Sequence, residues 1–380
     1  MASAPIYHGI KINEITSGIR NMAPVATAIL GLAAIGADAD AATFPLNTPV
    51  LIDDLPRAVG KAGEGDFAAT LQAIADQANA PAVIVRVAEG ADEEETEANI
   101  IGTTTAGGDL TGLQALLGAE SLLGVRPRIL GVPGHDNQAV ATSLATIAQK
   151  LRGFAYTAAQ GDTVAEVITY RANFSAREQM LIWPDFTDFT GSAIARAMGL
   201  RAKIDQQTGW HKTLSNVAIN GVTGISKAVP FSILASDVTA ASLLNDADIT
   251  TLARLDGFRF WGNRTCSDEP LFAFESATRT AQVLQDTIAQ GLVWAIDKPI
   301  TGGLVKDIVE TINAAFRSLQ SQGLIVGAEA WFDPAANPAS ALAAGKIVID
   351  FWFTPCAPAE SITINQRITD RFYASIADSL

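Results

Sequence analysis

Residues 128–157 read RILGVPGHDNQAVATSLATIAQKLRGFAYT. Arg128 to Val132 is a short apolar run suited to a strand, and Pro133-Gly134 ends it. Asp136 and Asn137 are helix-capping residues, Asn137 to Leu151 carries a helical pattern, and Gly153 to Thr157 reads as a second strand. A short strand, a helix of ten to fifteen residues and another short strand form the βαβ unit of a parallel sheet.

The same alternation extends outward on both sides. Upstream lie Val50 to Ile52 as strand, Asp66 to Asn79 as helix, Ala82 to Val87 as strand and Thr111 to Gly118 as helix. Downstream, a helix from Asp162 to Phe174 leads into a strand from Gln179 to Trp183. The pattern predicts a largely parallel, doubly wound sheet. Glu89 to Thr105 breaks it with the acidic run Asp92 to Glu97, read as a solvated loop near residues 89–108 or a helix start. Residues 191–256 are less regular. Beyond 257 two longer helices, Ala277 to Ile296 and Leu304 to Gln320, precede two longer strands, Leu324 to Phe332 and Lys346 to Thr354. That half reads as α+β with an antiparallel pair. The expected organisation is an arm at 1–20, an α/β region at 21–256, an α+β domain at 257–360 and a second arm at 361–380.

Composition narrows the function. The chain has 380 residues, 48% hydrophobic and 17% charged, which marks an ordered globular protein. A net charge of −14 and the lack of any Lys/Arg cluster argue against nucleic-acid binding. Cys266 and Cys356 lack metal-ligand spacing and fit a reduced cytosolic origin, while His8, His135 and His211 lie far apart, so no metal site is expected. Met22 to Gly36 imitates an export signal but follows a long, Glu14-containing segment with strand-like alternation, and reads better as a buried strand.

Candidate chemistry is sparse. Pro133-Gly134-His135-Asp136 stands at the C-terminal end of a predicted parallel strand, where doubly wound folds bind ligands. His135 with Asp136 could supply a base, which keeps a cytosolic α/β enzyme as the alternative reading. Against it, sequence neighbours seldom face each other, and neither a nucleophile elbow nor a phosphate loop is present.

Two features point to assembly instead. In the helix from Leu304, an apolar stripe of Leu304, Ile308, Ile312, Phe316 and Leu319 is opposed by Lys306, Glu310, Asn313, Arg317 and Gln320. That polar face meets either water or a partner. Tyr7 to Ile15 and Ser361 to Thr369 alternate like strands yet lie outside the main pattern, with Ile10, Ile12, Ile15, Ile362, Ile364 and Ile368 as their apolar positions. They either edge their own sheet or pair with another chain.

The densest stretch is GFRFWGNRT, residues 257–265, in a chain that is only 7% aromatic. With Leu244 to Ile249 upstream and Trp294 to Asp297 downstream, it resembles the tail sheath proteins of contractile phages and R-type pyocins. Thr111 to Leu116 and Pro127 to His135 are similar to that family's central region, and the likeness runs from Tyr7-His8-Gly9 to Ile364 to Thr369 in consistent order. The resemblance implies an α/β centre with a mostly parallel sheet, an α+β C-terminal domain facing a tail tube, and extended terminal strand arms. It also implies a mechanical protein without enzymatic activity, cofactor or metal. Such sheaths form stacked hexameric rings that contract to drive the tube through the bacterial envelope. The implied partners are other copies of the chain, the tube protein, and baseplate and tail terminator proteins, with no nucleic acid and no membrane insertion. The implied location is a virion tail or tail-like particle assembled in the host cytoplasm. By the same resemblance, Phe258, Phe260 and Trp261 are expected as core anchors, Gly262 as part of their motif and Arg264 as a buried or interface hydrogen-bonder. Lys306, Glu310, Asn313 and Arg317 become the candidate tube contacts.

Overall fold

The computed structural model describes residues 22, 24–234 and 238–373. In chain order the elements are β1 (Leu30–Ile35), β2 (Val50–Ile52), α1 (Leu55–Val59), α2 (Asp66–Ala75), β3 (Ala82–Val87), α3 (Glu93–Ile101), α4 (Ala119–Leu123), β4 (Ile129–Gly131), α5 (Gln138–Leu151), β5 (Phe154–Ala158), α6 (Val164–Arg171) and β6 (Gln179–Ile182). There follow α7 (Ser192–Gln207), β7 (Ala218–Ile219), α8 (Ala240–Asp246), β8 (Ile249–Arg254), β9 (Phe258–Trp261), α9 (Glu275–Gly291), α10 (Gly302–Ser321), β10 (Ile325–Trp331), α11 (Ala339–Ala343) and β11 (Asp350–Pro355).

Nine strands form one sheet in the order β2-β3-β1-β4-β5-β6-β8-β9-β7. From β3 to β8 the pairings are parallel, while β2 at one edge and the β8-β9-β7 meander at the other are antiparallel. Every residue of β3 is buried, as the run AVIVRV requires of a strand covered on both faces. Its side chains alternate between two cores: Ala82 and Ile84 face α2 and α7, while Val83, Val85 and Val87 face α5 and the 3₁₀ turn Gly112–Gly118.

Several expectations need correction. Among the described residues of the Met22 to Gly36 run, only Leu30–Ile35 is strand, paired with Ala82–Val87 of β3. Of the two readings of the acidic stretch, the helix start holds and the loop does not: Asp92 caps α3 by accepting from the Glu95 amide, and Glu93, Glu94 and Glu95 occupy its first turn, where the helix dipole favours negative charge. The irregular 191–256 segment hides the sixteen-residue α7. It is buried on nearly every side, so it shows no amphipathic period to read. The boundary expected after residue 256 falls in the β8-β9 hairpin turn, where Asp256 and Gly257 take positive φ, so the large sheet runs on through Trp261.

Beyond that sheet, α10 lies on one face of a separate two-stranded antiparallel sheet, β10-β11. Thr301 caps α10 through the Leu304 amide. The stripe from Leu304 to Leu319 is buried against Ile325 and Ala330, with Phe351 and Phe353 packed around it.

Candidate assembly surfaces

The GFRFWGNRT stretch is a corner that knits the two sheets' supports together. Phe260 is fully buried, whereas Phe258 and Trp261 are half-buried because β9 lies near the sheet edge, covered there by the two-residue β7. Phe186 packs edge-on against Phe258 and Phe260, and Phe231 against Trp261. Gly262 sits at φ +143, and a Cβ there would meet the Thr250 Cα at 2.7 Å, so only glycine allows this approach. The next residues turn toward α9: Asn263 accepts from the Glu275 amide, the Thr265 amide donates to Ala273, and the Cys266 amide donates to Gln179 on β6. Arg264 is partly exposed. Its guanidinium grips both carboxylate oxygens of Glu360 at 3.0 and 2.8 Å.

Helix α9 is joined to the large sheet by charge. Glu275, Arg279, Gln282 and Asp286 recur at helical spacing on one face, which in the sequence alone resembles a solvated stripe. All four are buried. Glu275 accepts from the Tyr156 hydroxyl on β5 and pairs with Arg201 of α7 at 3.2 Å. Arg279 donates both terminal nitrogens to Asp205 of α7, and Arg201 reaches the same carboxylate at 2.7 Å. Burial pushes the Asp205 carboxyl up, but the Arg279 and Arg201 charges outweigh it and hold the group below the usual carboxylate range. Gln282 donates to the Gly153 carbonyl, and Asp286 receives Arg126, Arg128 and Arg152. Sequence reasoning missed this joint. Its signal was a polar stripe whose partners are arginines far away along the chain.

At the other end of the C-terminal unit the sheet is open. Asn313, expected on the outward polar face of α10, turns inward: its amide donates to the Ala330 carbonyl and accepts the Ala330 N–H, both at 2.8 Å. Those Ala330 groups therefore point away from β11, and Asn313 covers the outer edge of β10 at that residue. Lys306, Glu310 and Arg317 are exposed, and Arg317 lies 3.9 Å from Glu310. Along β11 the alternate residues Phe351 and Phe353 direct their backbone groups to the outer edge, where no described residue pairs with them. The Trp331 and Trp352 rings pack tilted by 45°, with centres 4.3 Å apart, on the face turned away from α10.

Beyond β11, residues 356–369 form neither helix nor strand. Ile362, Ile364 and Ile368 are 77%, 85% and 98% exposed. Ile10, Ile12 and Ile15 lie outside the described residues.

The catalytic alternative does not assemble. The Asp136 carboxylate accepts from the Ala158 amide rather than facing His135. Burial raises its pKa to about 7, and burial likewise lowers that of the half-buried His135. Asp185 in the same groove is occupied by the amides of Phe186, Gly191 and Ala193. Cys266 and Cys356 are not joined, and burial pushes the Cys266 thiol up to about 12. Among the described residues no cluster of His, Cys, Asp or Glu could hold a metal, and no helix is long and apolar enough to cross a membrane.

The whole architecture has solved counterparts. The chain superposes on the contracted sheath complex of the extracellular contractile injection system PVC with a TM-score of 0.73 at 16% identity, covering 97% of this chain and 99% of that one. A chain of the six-fold symmetrised baseplate of the anti-feeding prophage matches with a TM-score of 0.68 at 16% identity, over 97% and 100% of the two chains. The fold is thus that of contractile-sheath proteins, a structural class. Sequence narrows it further. The phage tail sheath protein central domain matches residues 108–266 and the phage tail sheath C-terminal domain residues 267–369. The tail sheath protein of Escherichia phage P2 is 54% identical over 98% of both chains. The chain belongs to the phage tail sheath family, and the enzyme alternative has no support in it.

Proposed function

We propose that this chain is the repeating subunit of a tail sheath, forming stacked hexameric rings around a tail tube and contracting to drive the tube through the bacterial envelope. The observation that carries the assembly mechanism is a C-terminal segment, strand-like in its sequence alternation, with three uncovered isoleucines, following a two-stranded sheet with pairing capacity left. Arms from neighbouring subunits dock on β10-β11 and keep the rings linked while subunits rotate. Residues 1–20, with Ile10, Ile12 and Ile15, supply the second arm.

Backbone pairing alone is insufficient for this. About four hydrogen bonds per paired side, at roughly 1 kcal/mol net each, do not offset the ordering of eight or nine residues at about 1–2 kcal/mol each. Burying Ile362, Ile364 and Ile368 at roughly 1.5–3 kcal/mol apiece closes most of the gap, and several arms acting together supply the rest through effective concentration. The outer edge of β11 is the better acceptor, because Asn313 occupies part of the β10 edge.

The exposed Lys306, Glu310 and Arg317 on α10 are the proposed tube contacts. Baseplate and tail terminator proteins cap the two ends of the stack, which assembles in the host cytoplasm. The buried α7-α9 charges favour a subunit that moves as a rigid body, with residues 40–355 superposing between extended and contracted states. The test is truncation. Protein lacking residues 361–380, or 1–20, is expected to stay folded and soluble and to build no sheaths; normal contractile tubes from either truncated chain would refute the arm mechanism.

A further inference from the structure

We propose that Arg264 is a positioning residue that clamps Glu360 and thereby fixes where, and in which direction, the C-terminal arm leaves the body. The inference rests on the reading of the segment after residue 360 as an inter-subunit strand.

The clamp draws on separate parts of the chain. Arg264 Nε and Nη2 donate to the two Glu360 oxygens at 3.0 and 2.8 Å, a bidentate pairing that only a guanidinium can make. Nη1 lies 3.6 Å from Asp248, in the turn between α8 and β8. The guanidinium also stands 5.3 Å from the centre of the Phe274 ring, at the start of α9. Arg264 is held from behind and presents its fork outward. Just upstream, the Cys356 carbonyl accepts from the Ser276 hydroxyl. Among the described residues, hydrogen bonds therefore tie 356 and 360 to the body, while none ties 361–368 to it.

The consequence is geometric. Without the clamp the chain is held last at Cys356, and the four residues to Glu360 would let the arm root wander over about 14 Å of extended chain. Anchored at Glu360, the flexible part starts at Ser361, beside the β9 corner instead of at the end of β11. A shorter free tether aimed at one place raises the effective concentration of the arm at a neighbour's sheet edge. Subunit rotation is then taken up beyond residue 360, and the launch point stays constant. The arginine of the Trp261-Gly262-Asn263-Arg264 corner thus acts outward, on assembly, while its neighbours act inward on packing.

The experiment compares full-length Arg264→Ala, Glu360→Ala, the double variant and a chain ended at Glu360, each by thermal melting of the unassembled protein and by negative-stain microscopy of assembled tubes. Glu360 is exposed and supports no core, so Glu360→Ala is expected to melt like the parent and yet lose long tubes. Arg264→Ala should show the same loss, and the double variant should be no worse than either single one. If Glu360→Ala builds tubes of normal length and yield while the truncated chain builds none, the clamp is wrong and the arm reading stands. If the truncated chain itself builds tubes, the arm reading fails, and the clamp with it.

Discussion

Replacing Asp205 with alanine probes the buried charge joint between α7 and α9. The Asp205 side chain is 0% exposed and holds Arg201 and Arg279, themselves 0% and 3% exposed. With Glu275 the cluster balances two positive against two negative charges. Asp205→Ala leaves an unpaired guanidinium charge away from water, and Glu275, 4.0 Å from Arg279, cannot serve both arginines equally. Removing one partner of a buried pair costs about 3–5 kcal/mol. At roughly 2.1 cal/mol/K per residue, 380 residues unfold with about 0.8 kcal/mol/K of entropy, which converts the loss to a melting shift of about 4–6 °C. The assay is calorimetry on unassembled protein, with hydrogen exchange followed across α9. The variant is expected to melt lower and to exchange faster at residues 275–291. Asp205→Ala combined with Arg279→Met should recover part of the loss, since no charge is then stranded. A shift under about 1 °C with unchanged α9 exchange would show that the cluster does not hold the helix.

Three other outcomes follow from particular residues. Asp136, with its pKa raised to about 7, stabilises the fold most below the ordinary carboxylate range, and that contribution is lost as pH rises through 7. Asp136→Asn should therefore flatten the melting profile between pH 4 and 7 without harming assembly; an unchanged profile contradicts the assignment. Asn313→Ala removes two hydrogen bonds to Ala330 and leaves both backbone groups unpaired there, so a loss of about 1–3 kcal/mol is expected by chemical denaturation, whereas a surface tube contact would show none. Lys306→Glu with Arg317→Glu should leave the isolated subunit intact and reduce co-assembly with tube protein, measured by co-sedimentation; unaltered co-assembly removes α10 as the tube contact.

The parallel core was legible because its strands are short apolar runs and its helices amphipathic: Ala82 to Val87 was readable to the residue, and Asn137 announced α5 as its cap. The α10 stripe and the β10-β11 pair were legible for the same reason. What stayed hidden was burial without periodicity. Helix α7 is covered all round and carries Arg196 and Arg201 inside, so nothing in its pattern separates it from a loop of mixed polarity. The polar face of α9 reads as solvated until Arg201, Asp205 and the three arginines around Asp286 are brought to it by the fold. Asn313 shows the converse: a polar residue at the right spacing for the surface was taken up by an edge backbone group that no spacing rule could foresee.

The central claim is that subunits are linked by exchanged strands, and a helical cryo-EM reconstruction of the assembled sheath tests it most directly. The predicted map shows residues 361–368 of one subunit as a strand on the outer edge of a neighbour's β11, with Ile362, Ile364 and Ile368 covered. A map in which that segment folds back onto its own subunit, or in which the β11 edges stay unpaired, would contradict the account.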